Sequence, residues 1–173
     1  MILPDVLAAD LKVVFCGTAA GNHSASAGAY YANPRNRFWT TLYKVGLTPH
    51  LIKPADFRAV LTYGIGLTDL AKETYGGDAD LETGDFDVDG LRQKIADHAP
   101  HILAFNGKTA AKVFLQAARL NYGVVAGETV GETVIWVLPS TSLAALRMWD
   151  EAVWALLART IREGQKAEGD RNP

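Results

Sequence analysis

Between Lys12 and Cys16 the chain reads Lys-Val-Val-Phe-Cys, an unbroken apolar run that halts at Gly17. A strand with one face in water alternates apolar and polar residues. A run without that alternation needs cover on both faces, the situation of a central strand in a parallel sheet. Three further segments read in a related way: Tyr63–Leu70 (YGIGLTDL, interrupted by glycine), His101–Phe105 (HILAF) and Thr133–Leu138 (TVIWVL). Helical patterns separate them, at Asn36–Val45, Pro54–Leu61, Val88–His98, Lys108–Gln116 and Trp149–Ile161, with Asp87 or Asp89 available to cap the third. Asp78–Asp89 reads as an acidic surface loop. The alternation predicts an α/β fold, a single three-layer α/β/α domain around a central, mainly parallel, four-stranded sheet. Such open sheets bind ligands beyond the carboxyl ends of their strands. The loops after Cys16, Leu67, Phe105 and Leu138 are therefore expected to share one crevice.

The chain's 173 residues suit one domain with a real core. That domain is expected over 1–162, and the polar segment 163–173 (EGQKAEGDRNP), which lacks an apolar anchor, is expected to fray. The single cysteine, Cys16, excludes an internal disulfide and fits a reducing compartment. No stretch has the order of a signal peptide, and no apolar run reaches the roughly 18–20 residues that span a bilayer. The expectation is a cytoplasmic protein. A net charge of −2 is unusual for a nucleic-acid binder, because phosphate contacts favour a basic balance. The charges are unevenly spread, however: Arg35, Arg37 and Lys44 fall together, while acids crowd residues 78–89. Charge alone leaves a DNA partner open.

Between Gly17 and Gly28 nearly every residue is Gly, Ala, Ser or Thr. Such a loop lets backbone N–H groups approach a ligand closely, and it equally permits tight packing of strand, turn and helix. It is not a Walker loop, since no Gly-Lys-Ser/Thr closes it, and the spacing of Gly17, Gly21 and Gly28 does not match a dinucleotide fingerprint. Cys16 with His23 would make a nucleophile and base, but Cys16 ends a buried apolar strand, where thiols are inert. His98 and His101 flank Pro100 without metal-site spacing. Neither a metal nor a cofactor is expected.

Two longer motifs are more specific. After the first strand comes Gly17-Thr18-Ala19-Ala20-Gly21, followed by Tyr30-Tyr31-Ala32-Asn33-Pro34-Arg35-Asn36-Arg37-Phe38-Trp39 opening a helix. Downstream, Val137-Leu138-Pro139-Ser140-Thr141-Ser142 ends the last strand in a Pro/Ser-rich turn. In this order, with Gly64–Asp69 and Leu103–Lys108 between, they resemble the mismatch-specific uracil/thymine-DNA glycosylases of the uracil-DNA glycosylase superfamily. The resemblance runs from about Lys12 to Trp154. It implies a monomeric enzyme of base excision repair that flips a deaminated or mismatched base out of DNA and hydrolyses its N-glycosidic bond without metal or cofactor. Uracil, hypoxanthine and xanthine all stay open as the excised base.

That chemistry sets three tasks. Charge on the departing base must be stabilised, and the backbone of Gly17, Thr18, Ala19, Ala20 and Gly21 matches the family's turn for this. The base must be held, and Tyr31 matches the stacking aromatic, its alternative being a ring packed over the helix that begins near Asn36. A water must be positioned or deprotonated. Here the chain departs from the family: the amide-bearing Asn usual at the turn's centre is replaced by Ala19, whose methyl group forms no hydrogen bond. Asp69, on the rim after the second strand, is the candidate replacement, its alternative being a cap on Leu70–Lys72. Asn22 and His23 are rivals for water activation. Asn106 reads either as a contact to the base edge or as the support of a turn. Ser140, Thr141 and Ser142 are expected on DNA phosphates, with Leu143 as the nearest candidate for the apolar wedge, Arg147 as a DNA contact that could also fill that place, and Leu146 in the core unless it is the wedge. Arg37 is expected to bond nearby carbonyls or a carboxylate. Two other functions stay open: a damage-binding protein with reduced catalysis, and a hydrolase of free nucleosides.

Overall fold

The computed structural model describes residues 1–172. Its strands are β1 (Val13–Gly17), β2 (Ile65–Asp69), β3 (Ile102–Asn106), β4 (Gly123–Val130) and β5 (Thr133–Leu138). Its α-helices are α1 (Asn22–Ala27), α2 (Phe38–Lys44), α3 (Val88–His98), α4 (Lys108–Leu115) and α5 (Glu151–Gly169). The sheet order is β2-β1-β3-β5-β4. The first four of these strands run parallel, and β4 pairs antiparallel with β5 at the edge.

Every residue of β1, β2 and β3 is buried, as an apolar run without alternation requires. Side chains still alternate between faces. Val13 and Phe15 enter one core layer with Phe38, Leu42 and Trp154, while Val14 and Cys16 enter the other with Phe105, Ala110 and Phe114. In the first layer Phe15 stacks on Trp154 at 5.5 Å and meets Phe38 edge-on at 5.4 Å. The Trp154 indole N–H donates to the Pro139 carbonyl at 2.9 Å, tying α5 to the turn after β5.

The structure departs from the sequence reading in four places. A fifth strand, β4, lies at the sheet edge. Its residues are half-buried or exposed, it breaks register between Val124 and Thr129, and it holds Gly123 and Gly127 at positive φ, so it carries none of the apolar density of a central strand. The small-residue loop after β1 contains α1, closed by Gly28 at φ +64°, where glycine avoids the left-handed strain of a Cβ. The last helix starts at Glu151, because the Asp150 carboxylate accepts the Ala152 amide and caps it. It also continues through much of the segment expected to fray, reaching Gly169. Residues 163–172 are exposed, and the alanine and long charged side chains among them favour helix.

Candidate active site

The parallel register brings the predicted loops to one edge. Gly17 stands opposite Asp69, and Asn106 opposite Leu138. At this edge β1 and β2 remain tied beyond their last paired residues: the Leu70 amide donates to the Gly17 carbonyl at 2.9 Å and the Ala71 amide to that of Thr18 at 2.8 Å. These amides are satisfied by backbone, so Asp69 is not needed as their cap.

The Asp69 side chain is 5% exposed, and no hydrogen-bond donor contributes to its ionisation. Burial therefore dominates and pushes its pKa up to about 7, with the Lys72 charge opposing and the Asp5 charge adding to the rise. The carboxylate can lie where it does only because residue 17 is glycine. A Cβ there would stand 2.6 Å from Asp69 Oδ1 and 3.3 Å from the Tyr31 hydroxyl.

Behind Asp69 lies a group of paired charges. Asp5 accepts hydrogen bonds from Thr68 at 2.7 Å and pairs with Lys72 and Lys94, each at 2.8 Å. Burial works to raise the Asp5 pKa, but these partners outweigh it and hold the carboxyl below its usual range. The Lys72 ammonium is buried and also donates to the Tyr30 hydroxyl at 3.1 Å. Two lysines against Asp5 leave one positive charge in excess, and Asp69 is the nearby group that offsets it when ionised. Neither lysine nor Asp5 was picked out in the sequence. Lys72, a charge in the apolar stretch Leu70-Ala71-Lys72, was a readable signal. Asp5 was not, because the chain ahead of β1 is brought to the site by tertiary contacts such as its antiparallel bridge from Val6 to Leu67.

Tyr31 stands at φ +52°, unusual for a bulky residue and a mark of local backbone strain. Its surroundings enforce that conformation. The Tyr30 carbonyl accepts the Trp39 indole N–H at 3.0 Å, the Ala32 amide donates to Ser24 Oγ at 3.1 Å, and the Tyr31 ring stacks on Phe38 at 3.9 Å. The Tyr31 hydroxyl is buried without a well-formed hydrogen bond, although the Asn106 amide lies near enough to act on its ionisation.

Asn106 holds the turn after β5. Its Nδ2 donates to the Thr141 hydroxyl at 2.8 Å, its Oδ1 accepts the Thr141 amide at 3.0 Å, and the Thr141 carbonyl accepts the Arg37 amide at 3.0 Å. Thr141 is consequently fully buried and does not join the surface expected to meet phosphate. Ser140 and Ser142 are half-buried, and Arg147 is exposed. Leu143 and Leu146 are 42% and 47% exposed on a 3-10 segment, Leu143–Met148, so Leu146 lies outside the core where the sequence reading put it.

The remaining groups sort as follows. Asn22 and His23 lie on the exposed face of α1. The amides of Ala19 and Gly21 donate to no backbone carbonyl, whereas Ala20 is engaged in an isolated parallel bridge with Tyr75. Arg37 differs from expectation, for its guanidinium lies 5.6 Å over the Trp149 ring while Nη1 is buried and unpaired. Burial first, then the Asp69 charge, pushes the Cys16 thiol well up, which removes it as a nucleophile. Among the described residues no three His, Cys, Asp or Glu side chains gather as metal ligands.

Comparison with known proteins adds two findings. The family model described as "Uracil DNA glycosylase superfamily" matches residues 4–159. The fold is similar to a solution NMR structure described as "a putative Uracil DNA glycosylase from Methanosarcina acetivorans", at a TM-score of 0.64 and 21% identity, covering 92% of this chain and 96% of that one.

A buried carboxyl whose folded pKa lies near 7 binds a proton that its unfolded form has released above about pH 4. Stability is thus lost as pH rises from about 4 through 7. Asp69→Asn should remove this loss: in urea unfolding at pH 8 the variant should exceed the parent by about 2–4 kcal/mol, with the gap closing towards pH 4. A variant less stable than the parent at pH 8 would contradict the assignment.

Proposed function

Because the chain belongs to the uracil DNA glycosylase superfamily, we propose that it is a monofunctional DNA glycosylase of base excision repair with Asp69 as its general base. In this reading it acts as a cytoplasmic monomer without metal or cofactor. It resembles the mismatch-specific branch, altered at Ala19, and excises a deaminated or mismatched base such as uracil, hypoxanthine or xanthine. The observation that carries the proposal is a carboxylate 5% exposed and free of hydrogen-bond donors, at the strand edge where such sheets bind ligands, where burial pushes its pKa up to about 7.

The reaction balances as follows. The bond from C1′ to the base nitrogen breaks, its electron pair leaving with the base, and the water oxygen bonds C1′ while its proton passes to Asp69. An ionised Asp69 also favours the cationic sugar. The free amides of Ala19 and Gly21 are available to the departing base, as the family's turn is, and the Tyr31 ring supplies the stacking face. Outside the pocket, Ser140, Ser142 and Arg147 meet phosphates, and exposed Leu143 fills the gap left in the duplex. Arg37 joins them: a guanidinium without an ion-pair partner, beside this turn, suits a phosphate.

Duplex and single-stranded oligonucleotides carrying deoxyuridine, deoxyinosine or deoxyxanthosine, scored for alkali-labile sites, test the activity. At least one should be cleaved, and Asp69→Asn should slow that cleavage by about 10²–10⁴ while DNA affinity stays within a few-fold. No cleavage with salt-sensitive binding retained would favour a damage-binding protein, and hydrolysis of free nucleosides alone a nucleoside hydrolase. A fully active Asp69→Asn would pass the role to Asn22 or His23. Arg37→Met should weaken DNA binding and lower the slope of log affinity against log salt by about 1. An unchanged slope would remove Arg37 from the interface.

A further inference from the structure

We propose that the Tyr31 hydroxyl is itself a catalytic group, donating a hydrogen bond to the water that Asp69 deprotonates. The proposal rests on the glycosylase reading above and adds a second function to a residue whose ring alone is expected to stack.

Three observations converge on it. First, the hydroxyl is buried and makes no well-formed hydrogen bond, its near polar neighbour being the Asn106 amide, which is already bonded to Thr141. A buried polar group left unpaired is destabilising, and natural proteins leave few of them. Second, the backbone that aims it is strained, with Tyr31 at φ +52°, and three neighbouring contacts hold it there: Trp39 on the Tyr30 carbonyl, Ser24 on the Ala32 amide and Phe38 under the ring. Third, it points to the same place as the base. The Tyr31 hydroxyl and Asp69 Oδ1 lie 3.3 and 2.6 Å from one point, the position of the Cβ that Gly17 lacks. Two oxygens, neither in a well-formed hydrogen bond to protein, thus border the bare face of one glycine.

The geometry of a phenol decides what this hydroxyl touches. When the ring lies flat on a base, the hydroxyl lies in the ring's own plane and does not reach the edge of the base it covers. It is directed instead to the side, where Gly17 and Asp69 are. Asp69 keeps slight exposure while the Tyr31 hydroxyl is closed to bulk solvent, so a water reaches the pair from the carboxylate side.

A water held there gives one proton to Asp69 and accepts the Tyr31 hydroxyl proton on one lone pair, which leaves its second lone pair for C1′. As the proton moves to Asp69, negative charge grows on the water oxygen and the Tyr31 hydrogen bond strengthens. Burial, then the Asp69 charge, outweighs the opposing Asn106 amide and holds the phenol far above its ordinary pKa, so it stays protonated as a donor. Ala19 lost the amide that would orient this water, and the carboxylate and phenol together replace it.

Tyr31→Phe keeps the ring and its stack on Phe38 and removes only the hydroxyl. On the lesion that the parent cleaves fastest, the variant should show a single-turnover rate about ten- to a hundredfold lower, a KM within threefold of the parent, and a Tm equal to or above it. A buried hydroxyl without a well-formed bond costs stability, so its removal should hold or raise Tm, whereas loss of a merely structural hydroxyl would lower it. The cycle of Tyr31→Phe, Asp69→Asn and the double variant should be strongly non-additive, the second loss costing less than threefold. A Tyr31→Phe rate within twofold of the parent, a fall in Tm alongside the rate, or an additive cycle would each overturn the proposal while leaving the glycosylase reading intact. A parent that cleaves no lesion would overturn both.

Discussion

The site depends on one close approach, that of the Asp69 carboxylate to the bare α-carbon of Gly17. The parallel register of β1 and β2 places these residues side by side, and the backbone bonds from Leu70 and Ala71 to Gly17 and Thr18 hold them there. A methyl group at residue 17 would stand 2.6 Å from the carboxylate oxygen. Glycine ends β1 for that reason as well as to turn the chain. With the space granted, the carboxylate sinks into the sheet edge, loses water and finds no donor, and its proton affinity rises into the neutral range.

The same burial would make Asp69 untenable as an anion without an opposing charge. Lys72, fixed between Asp5 and the Tyr30 hydroxyl, supplies it from behind the sheet edge. The result is a carboxyl balanced between its two forms, costly to folding and suited to proton transfer. The strained Tyr31 backbone and its unpaired hydroxyl follow the same logic. Groups that lower stability gather at one edge of the sheet, and the stacked aromatic layer of Phe15, Phe38 and Trp154 gives that edge a rigid base.

The sheet was legible because its central strands are buried on both faces, which writes an unmistakable apolar run at Val13–Cys16, Ile102–Phe105 and Thr133–Leu138. β4 was not, because an edge strand with two positive-φ glycines is built on pairing to β5 rather than on apolar density. At the site, the position of Asp69 and the backbone turn could be read from strand ends and motif order. The burial of Thr141 could not, since it follows from the reciprocal bonds with Asn106, 35 residues away. Nor could the exposure of Leu146, since an apolar residue near a helix start looks like core until the helix is seen to begin at Glu151. Asp5 and the free guanidinium of Arg37 depend wholly on tertiary packing.

The central claim is that Asp69 is a buried carboxyl poised near neutrality at the sheet edge. Its most direct test is an NMR titration of the Asp69 side-chain carboxyl carbon, assigned by its loss in Asp69→Asn, from pH 3 to 9. The account predicts a midpoint at about 7. A midpoint near 4, the ordinary value for a solvated aspartate, would contradict it.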